Sequence, residues 1–406
     1  MSQPRLRVLV IDPESSGADL LSALNERGAE CTTYWQDDVF VRKTSAEATR
    51  PEDRLLAMAR ATDFDAVVAA SESAVSAAEV VAEMLDLPTN DPALTFARRD
   101  KAGMMDAVER AGLPVPTSHR VSGPEEVAAL AEVIQLPVVV KPTASAGSDA
   151  CLIAQSWQEV SDHVARTLSG VSILGVEHAA LAVQEYIDGP QYFVNTVSVS
   201  GQHLVTEVYS CSFREVAGAP HLVSGRSFER EDDRVRDVAH YTLRCLNALG
   251  VRDGAGHTEV RVRASGPVLI EFNGRLMGPT QPVHFFQEAQ GYSQATVYAT
   301  ALTEGHEAAE RLVEQGRTPV TLAYHLLTAP REGRFLRYEM DALAGLPSFR
   351  RLHNRAAPGS LVTLANRVTT ADLGIVFLAH PDEDVVEADL SSLAAAELDG
   401  RIVTME

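Results

Sequence analysis

The chain has 406 residues, of which 45% are hydrophobic and 22% are charged, enough for two or three domains with their own cores. Its formal net charge of -21 argues against nucleic-acid binding, because that affinity depends on neutralising phosphates over a broad surface. The four cysteines form no CxxC pair, and no apolar run reaches the roughly 18 residues needed to cross a bilayer. We therefore expect a soluble cytoplasmic protein with reduced thiols that binds neither nucleic acid nor membrane.

The first part of the chain, residues 1–95, alternates between strand and helix patterns. These segments are, in order, RLRVLVID, SSGADLLSALNERG, ECTTYW, DRLLAMARATD, FDAVVAAS and SAVSAAEVVAEMLDL. The order predicts a small parallel α/β domain. Its first turn, DPESSG, lacks GxGxxG, so we predict no dinucleotide site there. Glu72, at the end of the third strand, is a candidate to meet a substrate amino group, although a helix-entry acid is the simpler interpretation.

The middle of the chain combines helices with antiparallel strand patterns. A helix from about Thr95 carries Lys101, and the strand PVVVK ends in Lys141. A helix over 156–170 and the strands ALAVQEYI and QYFVNTVSVSG complete an α+β unit. Residues 211–232 have no clear pattern, and we expect them to be irregular and to cover a pocket. From about Pro319 the runs VTLAYHLL, LVTLANRV and LGIVFLAH predict a smaller β-rich domain.

Two strand patterns, HTEVRVR and PVLIEFN, flank a short ASG turn and predict a hairpin. Its simplest register pairs Glu259 with Glu271, and two further pairs follow: His257 with Asn273, and Arg261 with Leu269. His257, Glu259, Arg261, Glu271 and Asn273 share one face of the predicted hairpin. The period-two alternation gives the opposite, core face to Val260, Val262, Val268, Ile270 and Phe272.

Facing glutamates are destabilising unless a cation lies between them. Glu259, Glu271 and Asn273 offer only oxygen ligands, which suit Mg²⁺ or Mn²⁺ better than zinc. A solvated acidic sheet face with Arg261 as its counter-charge is the alternative.

Lysine is rare in this chain. Only Lys43, Lys101 and Lys141 are lysine among the 35 basic residues, and the other 32 are arginine. A compact ammonium on a thin stem is one reason to retain lysine at such positions. The loop TASAGSD after Lys141 offers backbone N–H groups that can surround phosphates, namely those of Ser145, Ala146, Gly147 and Ser148. A Walker A motif, GxxxxGK[ST], occurs nowhere in the chain. A surface loop beside a snorkelling lysine is the alternative, and the rarity of lysine favours the functional interpretation.

The segment QEYIDGPQ combines a strand edge with a Gly-Pro turn. The backbone of Gln184, Glu185 and Tyr186 can present its N–H and C=O groups to an adenine. Ile187 would pack on the face of the base, and Gln191 would hydrogen-bond a ribose. An ordinary strand–turn–strand is the simpler interpretation of this segment taken alone.

Taken together and in this order, these motifs resemble the ATP-grasp superfamily of carboxylate–amine ligases over roughly residues 1–320. The matching segments are Asp100-Lys101, VVVKP with TASAGSD, QEYIDGPQ, and the strands HTEV and EFNGR. Within the superfamily the chain looks most similar to L-amino acid ligases that make dipeptides, of the bacilysin-synthetase type. It departs from the family pattern at Gln191, where glutamate is common, and at Asn273-Gly274-Arg275, where the motif is usually N-P-R.

The resemblance implies an α/β and α+β fold with three domains: an N-terminal α/β domain (1–95), an ATP-grasp domain (96–318, lid about 135–208) and a β-rich C-terminal domain (319–406). It implies that Lys101 and Lys141 contact the phosphates of ATP. It further implies that Glu259, Glu271 and Asn273 hold two Mg²⁺ ions and that Arg275 supports an acyl phosphate.

The substrates are expected to be small molecules, namely an amino acid and a second amino acid or similar amine. Met277 and Gly278 are predicted to line the amino-acid pocket, and His221 or Arg226 to lie near the transferred phosphate. We expect a homodimer. Two alternatives stay open: a biotin-carboxylase-like or purine-pathway ligase, and a nucleotide-binding regulator without catalysis.

Overall fold

The computed structural model describes residues 5–36, 51–145, 147, 149–172, 175, 177–216, 219–229, 232–278, 282–316, 320–362 and 373–406. Its strands are β1 (Arg7–Ile11), β2 (Glu30–Tyr34), β3 (Ala66–Ala69), β4 (Ser118–Val121), β5 (Val138–Pro142), β6 (Leu152–Ala154), β7 (Leu181–Glu185), β8 (Gln191–Val199), β9 (Gln202–Val216), β10 (Ala219–Phe228), β11 (Gly254–Arg263), β12 (Gly266–Asn273), β13 (Thr321–Leu327), β14 (Gly333–Tyr338), β15 (Phe349–Asn354), β16 (Leu361–Val362), β17 (Gly374–His380) and β18 (Val403–Met405).

Its α-helices are α1 (Ser16–Glu26), α2 (Asp53–Ala61), α3 (Val75–Met84), α4 (Thr95–Arg99), α5 (Lys101–Arg110), α6 (Val127–Leu130), α7 (Trp157–Thr167), α8 (Arg236–Ala248), α9 (Val283–Gln290), α10 (Gln294–Glu304), α11 (His306–Gln315), α12 (Met340–Ala344) and α13 (Glu383–Leu398). Within the described ranges, no helix has both the length and the apolar character needed to cross a bilayer.

The N-terminal part forms the expected parallel sheet, in the order β2-β1-β3. Strand β1 lies in the middle, and its apolar residues alternate between two cores. Val8 and Val10 pack with α1 and α10 on one side, whereas Leu9 and Ile11 pack with α2 and α3 on the other. A strand covered on both faces reads as an unbroken apolar run, which is the pattern of RLRVLVI.

A second, four-stranded antiparallel sheet has the order β4-β7-β5-β6 and is covered by α7. We call this sheet the lid; its strands lie between Ser118 and Glu185. The predicted lid boundary at about residue 208 would include β8, which instead belongs to the largest sheet.

The largest sheet has the order β12-β11-β8-β9-β10-β13-β17-β15. It contains the predicted hairpin at one edge and the C-terminal strands at the other. Because β13 pairs with β10, the sheet runs across the predicted boundary at residue 319. The division into three domains therefore stays a prediction. VTLAYHLL and LGIVFLAH form β13 and β17, while most of LVTLANRV lies outside the described residues.

The expectation that residues 211–232 are irregular is wrong. Most of the segment forms β9 and β10, which pair in a long antiparallel hairpin with a bulge between Leu222 and Ser224. The pairing of β9 with β8 ends at Cys211. Residues 212–216, toward the turn of the hairpin, therefore pair with β10 alone. Residues 212–215 and 220–222 at that end are half-buried or exposed, so burial does not alternate along either strand and the sequence lacks a clean period of two.

A buried arginine joins the N-terminal part to the rest of the chain. Arg98 is 1% exposed and donates to both carboxylate oxygens of Glu79, each at 2.8 Å. It also donates to the carbonyl oxygens of Leu249 at 2.8 Å and Asp91 at 2.9 Å. One guanidinium thus connects α3, α4 and the end of α8.

Replacing Arg98 with methionine should leave the Glu79 carboxylate buried without its partner. We expect the free energy of unfolding to fall by about 3–5 kcal/mol, measured by urea denaturation. The exposed Arg110→Met variant is the control and should lose far less. The double variant Arg98→Met/Glu79→Leu should recover part of the loss. Equal losses for the Arg98 and Arg110 variants would show that the buried ion pair does not stabilise this junction.

Candidate active site

A cavity of about 360 Å³ is lined by residues of the lid and of the large sheet. Most of the residues singled out in the sequence line it. These are Lys101, Lys141, Ser145, Gly147, Gln184, Glu185, Tyr186, Ile187, Gln191, Glu259, Glu271, Arg275 and Gly278.

The hairpin of β11 and β12 brings the two glutamates together. Glu259 pairs with Glu271, and His257 pairs with Asn273, as the simplest register predicts. Glu259 and Glu271 both line the cavity. The two carboxylates therefore lie on one face of the sheet, which is the geometry that the metal hypothesis requires.

Beyond the glutamates the register departs from the prediction. A bulge between Glu259 and Val260 places Arg261 opposite Val268 instead of Leu269. Leu269 is fully buried in the core, whereas Ile270 lines the cavity. The predicted assignment of Ile270 to the core face is wrong, because the bulge reverses the alternation at this point.

The glutamates lie among polar and cationic partners. Glu259 Oε2 accepts a hydrogen bond from Gln191 Nε2 at 2.8 Å, and Glu271 Oε1 lies 2.9 Å from Lys101 Nζ. Burial, and then the negative charge of Glu271, raise the pKa of the Glu259 carboxyl above its ordinary value. Within the described ranges, no group of three or more His, Cys, Asp or Glu side chains is arranged as a metal site. A bound divalent ion would therefore take its remaining ligands from water and phosphate.

Both cavity lysines are buried. Lys101 Nζ also donates to the carbonyl oxygen of Ser145 at 2.7 Å, and Lys141 Nζ donates to that of Ile270 at 3.4 Å. Burial lowers the pKa of the Lys141 ammonium, although the charge of Glu271 opposes the shift. Two ammonium groups held beside two carboxylates form a site that an anionic ligand can enter.

Three described residues of the loop after β5 line the cavity, namely Ser145, Gly147 and Asp149. Ser145 Oγ donates to Asp149 Oδ2 at 2.7 Å, and Gly147 has a positive φ of 66°, a conformation that favours glycine. Ala146 and Ser148, also predicted to contact phosphates, lie outside the described residues.

The connection between β7 and β8 forms another wall. Gln184 is 2% exposed, and its Nε2 has no partner among the described residues. Gln191 uses both ends of its amide, since its Oε1 accepts from Arg261 Nε at 2.9 Å while its Nε2 donates to Glu259. Gln191 thus holds Arg261 beside Glu259. To form its predicted hydrogen bond with a ribose, Gln191 would have to give up its bond to Arg261 or to Glu259.

Arg275 lies at the end of the cavity beyond the glutamates. Its Nε donates to Glu72 Oε2 at 2.7 Å, and the other oxygen of Glu72 accepts from Arg99 Nη1. Burial by itself raises the pKa of the Glu72 carboxyl, but the charges of Arg99 and Arg275 lower it to about 2. Because both oxygens are bonded to arginines, the structure does not support the predicted contact of Glu72 with a substrate amino group.

Asn273 and Met277 lie beneath the cavity surface. Asn273 is 4% exposed, and its Nδ2 is 3.5 Å from the carbonyl oxygen of His257. The Met277 sulfur accepts from Asn195 Nδ2 at 3.4 Å. Neither side chain lines the cavity, whereas Gly278 does.

His221 and Arg226 both lie on β10, which β8 and β9 separate from the hairpin of the glutamates in the large sheet. His221 lies between Pro220 and Leu222, which line the cavity, and is not itself a lining residue. Arg226 forms an ion pair with Glu383 of α13 at 3.2 Å. The structure therefore does not bring Arg226 to the expected phosphate position.

The sequence interpretation did not identify several residues of this cavity as part of the site. The polar ones are Asp149, Cys151, His257 and Arg261; the apolar ones are Val139, Pro142, Ile153, Phe193, Phe213, Pro220, Leu222 and Ile270. Period-two alternation could have found two of them, because Val139 precedes Lys141 and Phe193 follows Gln191 by two residues on the same strand. The predicted register places His257 on the same sheet face as the glutamates, and the structure shows it lining the cavity. Burial, and then the charge of Arg275, lower its pKa to about 3, so it is a neutral group at physiological pH.

A family model matches the part of the chain that supplies all of the cavity's lining residues except Lys101. Residues 134–281 match the family model described as ATP-grasp domain. Dapdiamide A synthase of Enterobacter agglomerans is 26% identical over 309 residues, which cover 73% of each chain. The L-arginine-specific L-amino acid ligase of Bacillus subtilis is 18% identical over 238 residues, which cover 59% of this chain and 57% of that one.

Solved structures share the fold over nearly the whole chain. The L-amino acid ligase from Bacillus licheniformis has a TM-score of 0.75 at 16% identity and covers 100% of both chains. A biotin carboxylase domain from Hydrogenobacter thermophilus, solved with MgADP and bicarbonate, has a TM-score of 0.66 at 15% identity and covers 100% of this chain and 91% of its own. These likenesses establish a mixed α/β ATP-grasp fold.

The cavity thiol gives a test of this geometry. Burial raises the pKa of Cys151 to about 11, so at pH 7 only a very small fraction is thiolate. We expect its alkylation by iodoacetamide, followed by peptide mass mapping, to rise about tenfold per pH unit between pH 7 and 9. Free cysteine is the control, and its rate should level off near its ordinary pKa. Saturation of Cys151 below pH 9 would contradict the buried environment.

Proposed function

Because the chain carries an ATP-grasp domain and its relatives include amino acid ligases, we propose that it is an ATP-dependent carboxylate–amine ligase. It activates the carboxylate of one amino acid as an acyl phosphate and joins it to the amine of a second amino acid or similar amine. The observation that carries the proposal is one cavity in which Glu259 and Glu271 face each other beside Lys101, Lys141 and Arg275.

The adenine of ATP would lie against the β7–β8 connection. Val139, Ile153 and Ile270 supply apolar surface for a planar base, and Ile187 lines the same cavity. The buried Nε2 of Gln184 is a donor without a partner in the described structure, and a bound purine offers acceptor nitrogens. These features fit a nucleotide whose phosphates extend toward the two lysines.

Glu259 and Glu271 would hold Mg²⁺, for which two ions are proposed and Mn²⁺ is an alternative; the predicted third ligand, Asn273, is buried and does not line the cavity. Two facing carboxylates, one of them with a raised pKa, fit a divalent ion. Bound there, the metal supplies positive charge that offsets the charge of the triphosphate.

The chain's own residues then position charge around the transferred group. The carboxylate oxygen of the first amino acid attacks the γ-phosphorus of ATP, giving an acyl phosphate and ADP. Lys101, Lys141 and Arg275 stabilise the negative charge on the phosphoryl oxygens. The amine of the second substrate attacks the acyl carbon, phosphate leaves and the amine loses a proton. The loop that contains Ser145 and Gly147 excludes water, which would otherwise hydrolyse the acyl phosphate.

An apolar wall lies on one side of the cavity. It consists of Phe193, Phe213, Pro220 and Leu222, from β8 and the β9–β10 hairpin. A charged side chain placed against this wall would lose its hydration without gaining a partner. We therefore include in the proposal that the activated amino acid has an apolar side chain. The homodimer stays a prediction.

The decisive assay is phosphate release with ATP, Mg²⁺ and single or paired amino acids. Release that requires two amino acids, with a dipeptide found by mass spectrometry, supports the proposal. Release with bicarbonate and biotin would support the biotin-carboxylase-like alternative. The absence of release with any carboxylate would favour a nucleotide-binding regulator.

Substitution of Glu271 by glutamine removes the charge while keeping the shape of the side chain. We expect phosphate release to fall by about 10²–10³-fold, because one preorganised charge interaction at the transferred phosphate is lost. The exposed Glu314→Gln variant on α11 is the matched control and should retain full activity. Turnover within twofold of wild type in the Glu271 variant would refute the assignment.

Substitution of Leu222 by aspartate tests the apolar wall. A carboxylate there should raise the KM for leucine or phenylalanine at least tenfold and leave the KM for ATP within about twofold, measured by initial rates. Leu222→Met keeps the wall apolar and should behave as wild type. An unchanged KM for the amino acid would place its side chain elsewhere.

A further inference from the structure

Glu72 lies in the loop after β3, at the edge of the N-terminal sheet. Its side chain is 11% exposed and reaches Arg275, a cavity residue 203 positions later in the chain. Arg275 Nε donates to Glu72 Oε2 at 2.7 Å, and Arg99 Nη1 donates to Glu72 Oε1. A carboxylate without direct access to substrate is thus bonded to a residue that lines the site.

The contacts of Arg275 leave one part of its guanidinium available. Nε is held by Glu72, and Nη1 donates to the carbonyl oxygen of Leu276 at 2.8 Å. Within the described residues, Nη2 has no partner. A planar guanidinium fixed at two nitrogens has its third nitrogen fixed as well, so Glu72 and Leu276 together determine where Nη2 points.

We propose that Glu72 is a positioning residue that orients Arg275 toward the acyl phosphate; this inference rests on the proposed function. Glu72 acts through Arg275 and does not touch substrate. Arg99 holds the second oxygen, so the carboxylate plane is fixed from both sides. The N-terminal sheet, which lacks a ligand motif of its own, thereby contributes to the reaction.

Two other roles would account for the same burial. Glu72 could bind a substrate amino group, but it does not line the cavity, and both of its oxygens already accept from arginines. Alternatively, Glu72 could serve only to hold the N-terminal sheet against the rest of the chain. Its loss would then lower the stability of the protein and leave the chemistry unaffected. A kinetic test separates the positioning role from both.

The test compares Glu72→Gln with wild type in the phosphate-release assay. Glutamine has one acceptor oxygen, so it cannot hold both arginines. We expect kcat to fall about 100-fold, because a displaced catalytic group of this kind costs about that factor, while the KM for ATP stays within about twofold. Glu83→Gln, an exposed substitution on α3, is the matched control and should behave as wild type. An unchanged kcat, or a change in KM alone, would overturn the inference.

A double-mutant cycle with Arg275→Lys tests whether Glu72 acts through Arg275. If it does, the double variant should be no slower than Arg275→Lys alone, because the group that Glu72 positions has already been lost. Additive losses would overturn the inference even if each single variant is slow.

A crystal structure of Glu72→Gln tests the geometry without any activity. We expect the Arg275 guanidinium to move away from its wild-type position, and an unmoved guanidinium would overturn the inference. Wild-type protein that releases no phosphate with any amino-acid pair would refute the proposed function instead, and the crystal structure would still decide whether Glu72 positions Arg275.

Discussion

Two carboxylates that face each other across neighbouring strands repel, and the rest of the cavity is arranged around that repulsion. Glu259 and Glu271 lie on one sheet face, partly removed from water, which strengthens their interaction. Lys101 lies 2.9 Å from one of them, and Lys141 is buried nearby. Neutral side chains at positions 259 and 271 would avoid this repulsion. The pair therefore indicates a site built to bind cations and the anion that accompanies them.

The segment that starts α5 connects this pair to the surrounding parts of the chain. Arg99 pairs with Glu72 of the N-terminal loop, and Asp100 pairs with Arg120 of β4 in the lid at 2.6 Å. The next residue, Lys101, lies 2.9 Å from Glu271. Three consecutive charged residues thus contact three different parts of the molecule. A rearrangement of the lid would be felt at the first turn of α5, where Lys101 lies.

The sequence predicted the features that depend on local periodicity. The parallel N-terminal sheet and the pairing of Glu259 with Glu271 follow from alternation and element order, whereas the gathering of both lysines in one cavity was implied by the resemblance to ATP-grasp ligases. The bulge beside Glu259 was not predictable, because one extra residue leaves no signature in composition. The partnership of Glu72 with Arg275 depends on how two distant segments pack, and a single sequence carries no signal for that contact.

The glycine before Arg275 gives this distant contact its importance. In the related motif a proline stands between asparagine and arginine and restricts the backbone, whereas Gly274 leaves it freer. The Arg275 side chain is held instead by Glu72 and by the carbonyl oxygen of Leu276. The position of Arg275 therefore depends on the packing of the N-terminal sheet. That sheet supplies no cavity-lining residue among those the structure describes, yet it contacts the cavity residue Arg275 through Glu72.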